Sequence, residues 1–141
     1  MAKKRVLFLC THNSCRSQMA EGLANHFLSD RIEAFSAGTE ATQVNPLAAN
    51  VMAEIGIDLS AHRSKILDEF ASEDFDYVIT LCGDANEKCP LFFGGVQRLH
   101  IGFDDPSRLP GSEAEVLPEY RRVRDEIRRT MKDFFDKDLA S

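Results

Sequence analysis

The fold of this chain follows from the stretch Val6-Leu7-Phe8-Leu9-Cys10-Thr11-His12-Asn13-Ser14-Cys15-Arg16-Ser17. The apolar run at its start predicts a buried strand over Arg5–Leu9, and the polar residues after it predict a tight loop. Apolar residues then recur at helical spacing, which predicts a helix over about Ser17–Ser29. A strand that enters a helix through a short polar loop is typical of α/β proteins.

The loop combines a cysteine, five residues, an arginine and a serine, which is the composition of an oxyanion-binding site with its own nucleophile. Short residues let the backbone curl so that its N–H groups point inward, and the next helix adds its positive N-terminal end. Arg16 offers a planar guanidinium that pairs with two oxygens of a tetrahedral anion. The same positive field favours the thiolate form of Cys10.

Cys10 is therefore the candidate nucleophile, and the loop residues that follow it are the candidate substrate-binding groups: Thr11, His12, Asn13, Ser14, Cys15, Arg16 and Ser17. A structural cysteine at the end of a buried strand is the alternative interpretation. We expect the side chain of His12 to face solvent. Cys15 is interpreted as a small residue within the loop.

The composition is that of one soluble domain spanning residues 1–141. Hydrophobic residues make up 43% of the chain, charged residues make up 28%, and the net charge is −6. This acidic balance argues against nucleic acid or an anionic membrane as partners. The basic N-terminus precedes only four apolar residues, too few for a signal peptide or a membrane span. We expect a cytoplasmic monomer, whose four cysteines serve chemistry or metal binding before structural disulfides.

Strand and helix patterns alternate along the rest of the chain. Further strands are predicted at Ala34–Ser36, Phe75–Leu81 and Arg98–Phe103. One helix is predicted from the Asn45-Pro46 cap to about Gly56. A final helix is predicted over about Ser112–Lys137, with Pro118 as a reason for a start nearer Leu117. The fold class is therefore α/β, with a four-stranded, parallel, doubly wound sheet and helices on both faces.

Three segments with chemical potential follow predicted strands: Cys10–Ser17, Cys82 and Asp104-Asp105-Pro106. In doubly wound sheets, ligands bind beyond the carboxyl ends of the strands, where the strand order reverses. We therefore expect these segments to converge on one site.

Cys82 and Cys89 form a second cysteine pair, separated by six residues. In a regular helix their positions would lie about 10 Å apart along the axis, too far for a disulfide. A bond between them would need local refolding, which is the behaviour of a redox switch, whereas the alternative is two incidental thiols. The spacings C-x4-C and C-x6-C do not match the usual zinc pairs, so no metal site is predicted.

Asp105 precedes Pro106, which restricts its backbone and stiffens the loop. A carboxyl held over the anion site can act as a general acid for a departing oxygen. Neighbouring residues of an extended loop point in opposite directions, so we expect Asp105 to face the site and Asp104 to face away. A turn-forming role for both acids is the alternative. His62 is a further candidate for a hydrogen bond near the site.

The chain resembles the thioredoxin-coupled arsenate reductases, which are built on the low-molecular-weight protein tyrosine phosphatase fold. The resemblance runs along nearly the whole chain and rests on residues 10–22, Ser36-Ala37-Gly38, residues 80–84, Cys89-Pro90, residues 102–106 and residues 122–127. The cysteine loop alone does not separate reductase from phosphatase. The addition of Cys82 and Cys89 favours the reductase.

The resemblance implies a three-cysteine relay with arsenate as substrate. Cys10 attacks arsenate held by the loop and Arg16, while Asp105 protonates the leaving oxygen. Cys82 then attacks Cys10 and arsenite departs, after which Cys89 attacks Cys82. The Cys10–Cys82 disulfide is transient, and the Cys82–Cys89 disulfide is left for thioredoxin to reduce. No bound cofactor is implied.

This chain departs from the family pattern at two positions. His12 stands where the family usually has glycine, and Lys65 stands where potassium-binding relatives carry an acidic residue, which puts that cation site in doubt. The second functional interpretation is a phosphotyrosine phosphatase that uses Cys10, Arg16 and Asp105, although no aromatic residue follows Asp105-Pro106 to flank a tyrosyl ring. A third is a non-enzymatic arsenite or redox sensor. Arg16 argues against a sensor, because arsenite and soft metals bind to thiolates and need no guanidinium.

Overall fold

A computed structural model describes residues 3–70, 72–81 and 97–139 of the chain. Within these ranges four strands form one parallel sheet, namely β1 (Lys4–Cys10), β2 (Ile32–Gly38), β3 (Tyr77–Thr80) and β4 (Gln97–His100). The α-helices of the same ranges are α1 (Arg16–Phe27), α2 (Pro46–Ala53) and α3 (Glu113–Asp138). Short 3-10 turns lie at Leu67–Phe70 and Pro106–Arg108.

The strand order is β2-β1-β3-β4, so the chain moves from β1 to one neighbour and then crosses back to the other. The point where the order reverses is the carboxyl end of β1, where Cys10 pairs with Gly38 of β2 and Leu9 pairs with Thr80 of β3. The predicted four-stranded parallel sheet is confirmed. Its switch point lies where the cysteine loop begins.

The two faces of the sheet pack against different partners because successive strand residues point to opposite sides. Val6 and Phe8 belong to the main core with apolar residues of all three α-helices, including Met19, Met52 and Ile127. Leu7 and Leu9 belong to a smaller core that contains Leu67 and Phe70 of the first 3-10 turn. Helical segments therefore cover both faces of the sheet, as predicted.

Several element ends differ from the predictions. β2 is longer at both ends than Ala34–Ser36, because its backbone pairs with β1 all along Lys4–Cys10. β3 is shorter than predicted at both ends, and β4 ends at His100, three residues earlier than predicted. α2 has the predicted cap, in which the Asn45 side chain accepts hydrogen bonds from the N–H groups of Leu47 and Ala48, but it ends at Ala53.

α3 spans Glu113–Asp138, close to the predicted Ser112–Lys137, and it contains Pro118, so the start nearer Leu117 that this proline favoured does not occur. Ser112 explains the earlier start. Its Oγ accepts from the N–H of Glu115 at 3.4 Å and lies 3.1 Å from the carboxylate of the same residue. This cap stabilises the first turn, so the one hydrogen bond lost at Pro118 does not end the helix. None of the helices in the described ranges has both the length and the apolar character that a bilayer span requires.

Candidate active site

The loop between β1 and α1 is held by hydrogen bonds to its carbonyl groups. The carbonyl of Thr11 accepts from the N–H of Glu40 at 2.9 Å, and that of Ser14 accepts from the N–H of Asn45 at 2.9 Å. The carbonyl of His12 accepts from Ser64 Oγ at 2.7 Å. In a trans peptide the N–H points opposite to the C=O, so carbonyls that bond outward turn the amides of the following residues toward the inside of the loop.

Asn13 sets the turn of this loop. Its φ of 49° lies in the left-handed region, which asparagine tolerates better than most residues. The side chain is fully buried and donates to Ser17 Oγ at 2.9 Å, while its Oδ1 accepts from the N–H of Lys65 at 2.8 Å. The side chains of Asn13 and Ser17, both predicted substrate-binding residues, thus lie beneath the loop and support it.

Gly38 lets β2 approach the loop closely. A Cβ atom at this position would lie 2.6 Å from the carbonyl oxygen of Thr11 and 2.7 Å from the nitrogen of Asn13. Both contacts are to backbone, which cannot rotate away. Glycine is therefore required where the sheet meets the loop.

The cleft above the loop is lined by Cys10, Thr11, His12, Ser14, Cys15, Arg16, Asp105, Ser107 and Arg108. The first and last of the three predicted segments therefore meet at one site. Cys82 and Cys89 lie outside the described residues. Ser107 and Arg108 were missed as site residues, although they directly follow the predicted acid and its proline.

Arg16 is almost wholly buried, with 8% of its surface exposed. Its Nη1 donates to the carbonyl of Phe103 at 2.9 Å, and its Nη2 lies 3.3 Å from Oδ2 of Asp105. Its Nε is buried without a hydrogen-bond partner in the described structure. Buried N–H groups are nearly always bonded, so this donor indicates a site prepared for an external acceptor.

Asp105 and Asp104 point in different directions, as predicted. Asp105 faces the cleft, where its Oδ2 lies near Arg16 and also 3.4 Å from Nε of Arg108. Asp104 pairs instead with Arg122 at 3.1 Å, and 79% of its side chain is exposed. The two acids therefore have separate roles, and only Asp105 can reach a group bound at the loop.

Cys15 borders the cleft beside Cys10 and is buried. Burial, with a further contribution from the Asp105 carboxylate, raises the pKa of Cys15 to about 12. Arg16 opposes this shift only in part. Cys15 packs into the main core and stays a neutral thiol at physiological pH, which makes it a poor nucleophile.

Gln18 is a buried support of the loop that the sequence analysis missed. Its Nε2 lies 3.1 Å from the carbonyl of Asn13 and 2.9 Å from that of Arg63, and its Oε1 lies 2.9 Å from Nδ1 of His62. His62 thus acts through Gln18, one layer below the loop. The sequence offered no signal for this role, because a glutamine in the first turn of a helix has the same pattern whether it is buried or exposed.

Lys65 lies under the same loop. Its Nζ donates to the carbonyl of Arg63 at 3.0 Å and lies 3.8 Å from Oε1 of Glu21, which also accepts from Ser36 Oγ. Only 13% of the Lys65 side chain is exposed, and burial lowers its pKa. In the part of the chain that the structure describes, no group of three or more His, Cys, Asp or Glu residues could hold a metal ion.

His12 lies at the rim of the cleft. Its Nε2 is 3.2 Å from Oε2 of Glu40, and 48% of its side chain is exposed. The side chain of His12 therefore faces solvent, as predicted. The contact with Glu40 ties the rim to the segment that follows β2.

The chain is similar in sequence to a known protein family and to curated relatives. The chain matches the model of the family described as low molecular weight phosphotyrosine protein phosphatase over residues 5–141. It is 50% identical to an arsenate reductase of Bacillus subtilis over 134 residues, which cover 95% of this chain and 96% of that protein.

Two solved structures extend the comparison. One is an arsenate reductase in the phosphate binding state, with 33% identity, a TM-score of 0.78 and coverage of 95% of this chain and 98% of that chain. The other is a thioredoxin-dependent arsenate reductase of Corynebacterium glutamicum, with 30% identity and a TM-score of 0.67. That match covers 99% of this chain and 64% of the longer Corynebacterium chain.

Proposed function

The chain belongs to the low molecular weight phosphotyrosine protein phosphatase family, and within it we propose that it is an arsenate reductase with Cys10 as nucleophile. The observation that carries the proposal is the cleft that gathers Cys10, Arg16 and Asp105, with the buried Nε of Arg16 lacking a partner among the described residues. Such a donor suits a tetrahedral oxyanion. The chain is identical to an arsenate reductase at half of the aligned positions, and this similarity favours arsenate as the anion.

The first step is nucleophilic substitution at arsenic. The Cys10 thiolate attacks arsenate, so that an S–As bond forms and an As–O bond breaks. Asp105 donates its proton to the departing hydroxyl group, which leaves as water, and Asp105 becomes a carboxylate. The loop amides and Arg16 hold the remaining oxygens. Arsenic remains As(V) in this step.

The reduction itself uses Cys82 and Cys89. The Cys82 thiolate attacks the sulfur of Cys10, so that an S–S bond forms and the S–As bond breaks with its electron pair left on arsenic, which departs as arsenite. The Cys89 thiolate then attacks Cys82 and releases the Cys10 thiolate. Two thiols become one disulfide and supply the two electrons. This assignment rests on the sequence, because both cysteines lie outside the described residues.

Thioredoxin is the proposed reductant of the Cys82–Cys89 disulfide. A likeness to a thioredoxin-dependent arsenate reductase supports this choice. A reaction that cycles thiols through a disulfide needs a compartment that keeps them reduced, so we expect the protein to work in the cytoplasm. No bound cofactor has a place in this scheme.

Phosphatase activity is the second candidate, and the family membership favours it as a side reaction. Cys10, Arg16 and Asp105 are sufficient for phosphoryl transfer to a cysteine. The residues that line the described cleft include no aromatic side chain to hold a phenyl ring. We therefore expect arsenate to be the better substrate.

An arsenate-dependent NADPH oxidation assay, with thioredoxin and thioredoxin reductase supplied, tests the proposal. The expected result is one NADPH oxidised for each arsenite released. Arsenite release that continues with glutathione and glutaredoxin but not with thioredoxin would refute the reductant. Failure to produce arsenite with either system would refute the function.

A further inference from the structure

The two oxygens of Asp105 have different surroundings. Oδ1 accepts from the N–H of Ser107 at 3.0 Å and from the Oγ of Ser107 at 2.5 Å. Oδ2 faces Arg16 at 3.3 Å and Arg108 at 3.4 Å. One oxygen is thus bound within its own turn, whereas the other faces the cleft.

This asymmetry decides where a proton can sit on Asp105. A carboxyl oxygen that accepts two hydrogen bonds has its lone pairs occupied and is a poor site for the proton of the neutral acid. The N–H of Ser107 is a fixed donor, since the Asp105 side chain caps the turn Pro106–Arg108. The proton of the neutral acid is therefore directed to Oδ2, on the side where a leaving oxygen would lie.

The contacts to Oδ1 and to Oδ2 respond differently when an anion binds. Nη1 of Arg16 donates to the carbonyl of Phe103. Hydrogen bonds from Arg16 to an oxyanion must therefore come from Nε and Nη2. Nη2 is the group that faces Asp105. An anion that takes this donor removes it from Oδ2 and leaves there the contact from Arg108, whose side chain is 80% exposed, while the contacts from Ser107 to Oδ1 lie within one turn and persist.

We propose that Ser107 is a positioning residue for the reaction, which directs the proton of Asp105 to Oδ2 and aims it at the leaving oxygen. The inference rests on the proposed function, in which this proton is transferred as the As–O bond breaks and water departs. Ser107 lines the cleft, but its hydroxyl is bound to Oδ1 of Asp105. It acts through Asp105, by saturating the oxygen that must not carry the proton.

The experiment measures kcat/KM for arsenate in Ser107→Ala, Ser107→Thr and Asp105→Asn, and in the double variant of Ser107→Ala with Asp105→Asn. Ser107→Ala keeps the backbone donor and removes only the hydroxyl, so we expect a loss of about fivefold. Ser107→Thr restores the hydroxyl and should recover activity to within about twofold of the unmodified protein. In the Asp105→Asn background, Ser107→Ala should change kcat/KM by less than about twofold, because no acid remains to position.

Two further measurements separate positioning from a general effect on the turn. The dissociation constant for inorganic phosphate, a tetrahedral anion of the same shape as arsenate, should stay within about twofold of the unmodified value in Ser107→Ala. Leu109→Ala, an exposed residue at the end of the same turn, should keep full kcat/KM. An equal loss from Ser107→Ala in both backgrounds, or no rescue by threonine, would overturn the inference. A normal rate in Asp105→Asn would instead refute the acid of the proposed mechanism.

Discussion

Arg16 and Asp105 form an ion pair across the mouth of the cleft, with Nη2 of the guanidinium 3.3 Å from Oδ2 of the carboxylate. Their side chains are only 10% and 19% exposed, so solvent screens this contact less than it screens a surface pair. Nη1 of the same guanidinium is bound to the carbonyl of Phe103. Asp105 therefore occupies a donor that an incoming oxyanion needs, and the acid and the anion compete for Arg16.

This competition predicts opposite effects of Asp105→Asn on binding and on turnover. Removal of the carboxylate frees Nη2 and removes repulsion between like charges, so phosphate should bind about threefold to tenfold more tightly. Loss of the acid should lower kcat/KM for arsenate by about 100-fold. Calorimetric titration with phosphate and steady-state kinetics measure the two effects. Asp104→Asn, at the exposed neighbour, is the matched control and should change neither, and weaker phosphate binding in Asp105→Asn would contradict the competition.

Cys10→Ser should abolish arsenate reduction and any phosphatase activity together, because both begin at one thiolate. Cys15→Ala should keep the nucleophile, since Cys15 is a buried neutral thiol whose pKa is raised to about 12. Rates with arsenate and with an aryl phosphate test both variants. Phosphatase turnover by Cys10→Ser would show that the two activities do not share a nucleophile.

The order of the cysteine relay can be read from single-turnover products. Cys89→Ser should release about one equivalent of arsenite and stop as a Cys10–Cys82 disulfide, because its resolving thiol is missing. Cys82→Ser should bind arsenate and release almost no arsenite. Peptide mapping of quenched samples identifies the disulfides. A Cys10–Cys89 disulfide formed during rapid arsenite release by Cys82→Ser would reverse the two roles.

Lys65 predicts that the loop is held without a bound potassium ion. Its ammonium lies 3.8 Å from Glu21 and bonds to the carbonyl of Arg63 beneath the loop. The melting temperature of the unmodified protein should therefore be the same in potassium and sodium at equal ionic strength. Lys65→Asp should be less stable in sodium and regain stability in potassium, whereas Lys3→Asp, at an exposed position, should respond equally to both salts. A potassium-specific rise in the melting temperature of the unmodified protein would contradict this role.

Gly38→Ala should displace the cysteine loop. Its Cβ would lie 2.6 Å from the carbonyl oxygen of Thr11, and backbone can relieve this overlap only by moving. We expect a loss of about 2 kcal/mol in the free energy of unfolding, about 4–8 °C in melting temperature. Phosphate affinity should also fall. Gly102→Ala is the matched control, because among the described residues its Cβ would meet only the end of the His100 side chain, at 3.3 Å. An unchanged melting temperature in Gly38→Ala would refute the close-approach argument.

Some residues of the site could be predicted from the sequence, and others could not. Cys10 and Arg16 belong to one loop, so their spacing alone predicted an oxyanion site. Asp105 was predicted because it follows a strand and precedes a proline, and its direction followed from the alternation with Asp104. Gln18 escaped prediction, since a polar residue at the start of a helix has the same pattern whether it is buried or exposed.

By itself the sequence determined the order of strands and helices, the loop with its proposed nucleophile, and the end of the sheet at which the cleft lies. These features depend on short-range patterns of apolar residues, turn residues and caps, which are local along the chain. The tertiary structure alone decided that Asp105 faces Arg16, that Ser107 occupies one of its oxygens, and that Lys65 lies beside Glu21. Such contacts depend on the register of strands and the packing of loops, to within a few tenths of an ångström, and no local pattern specifies distances at that scale.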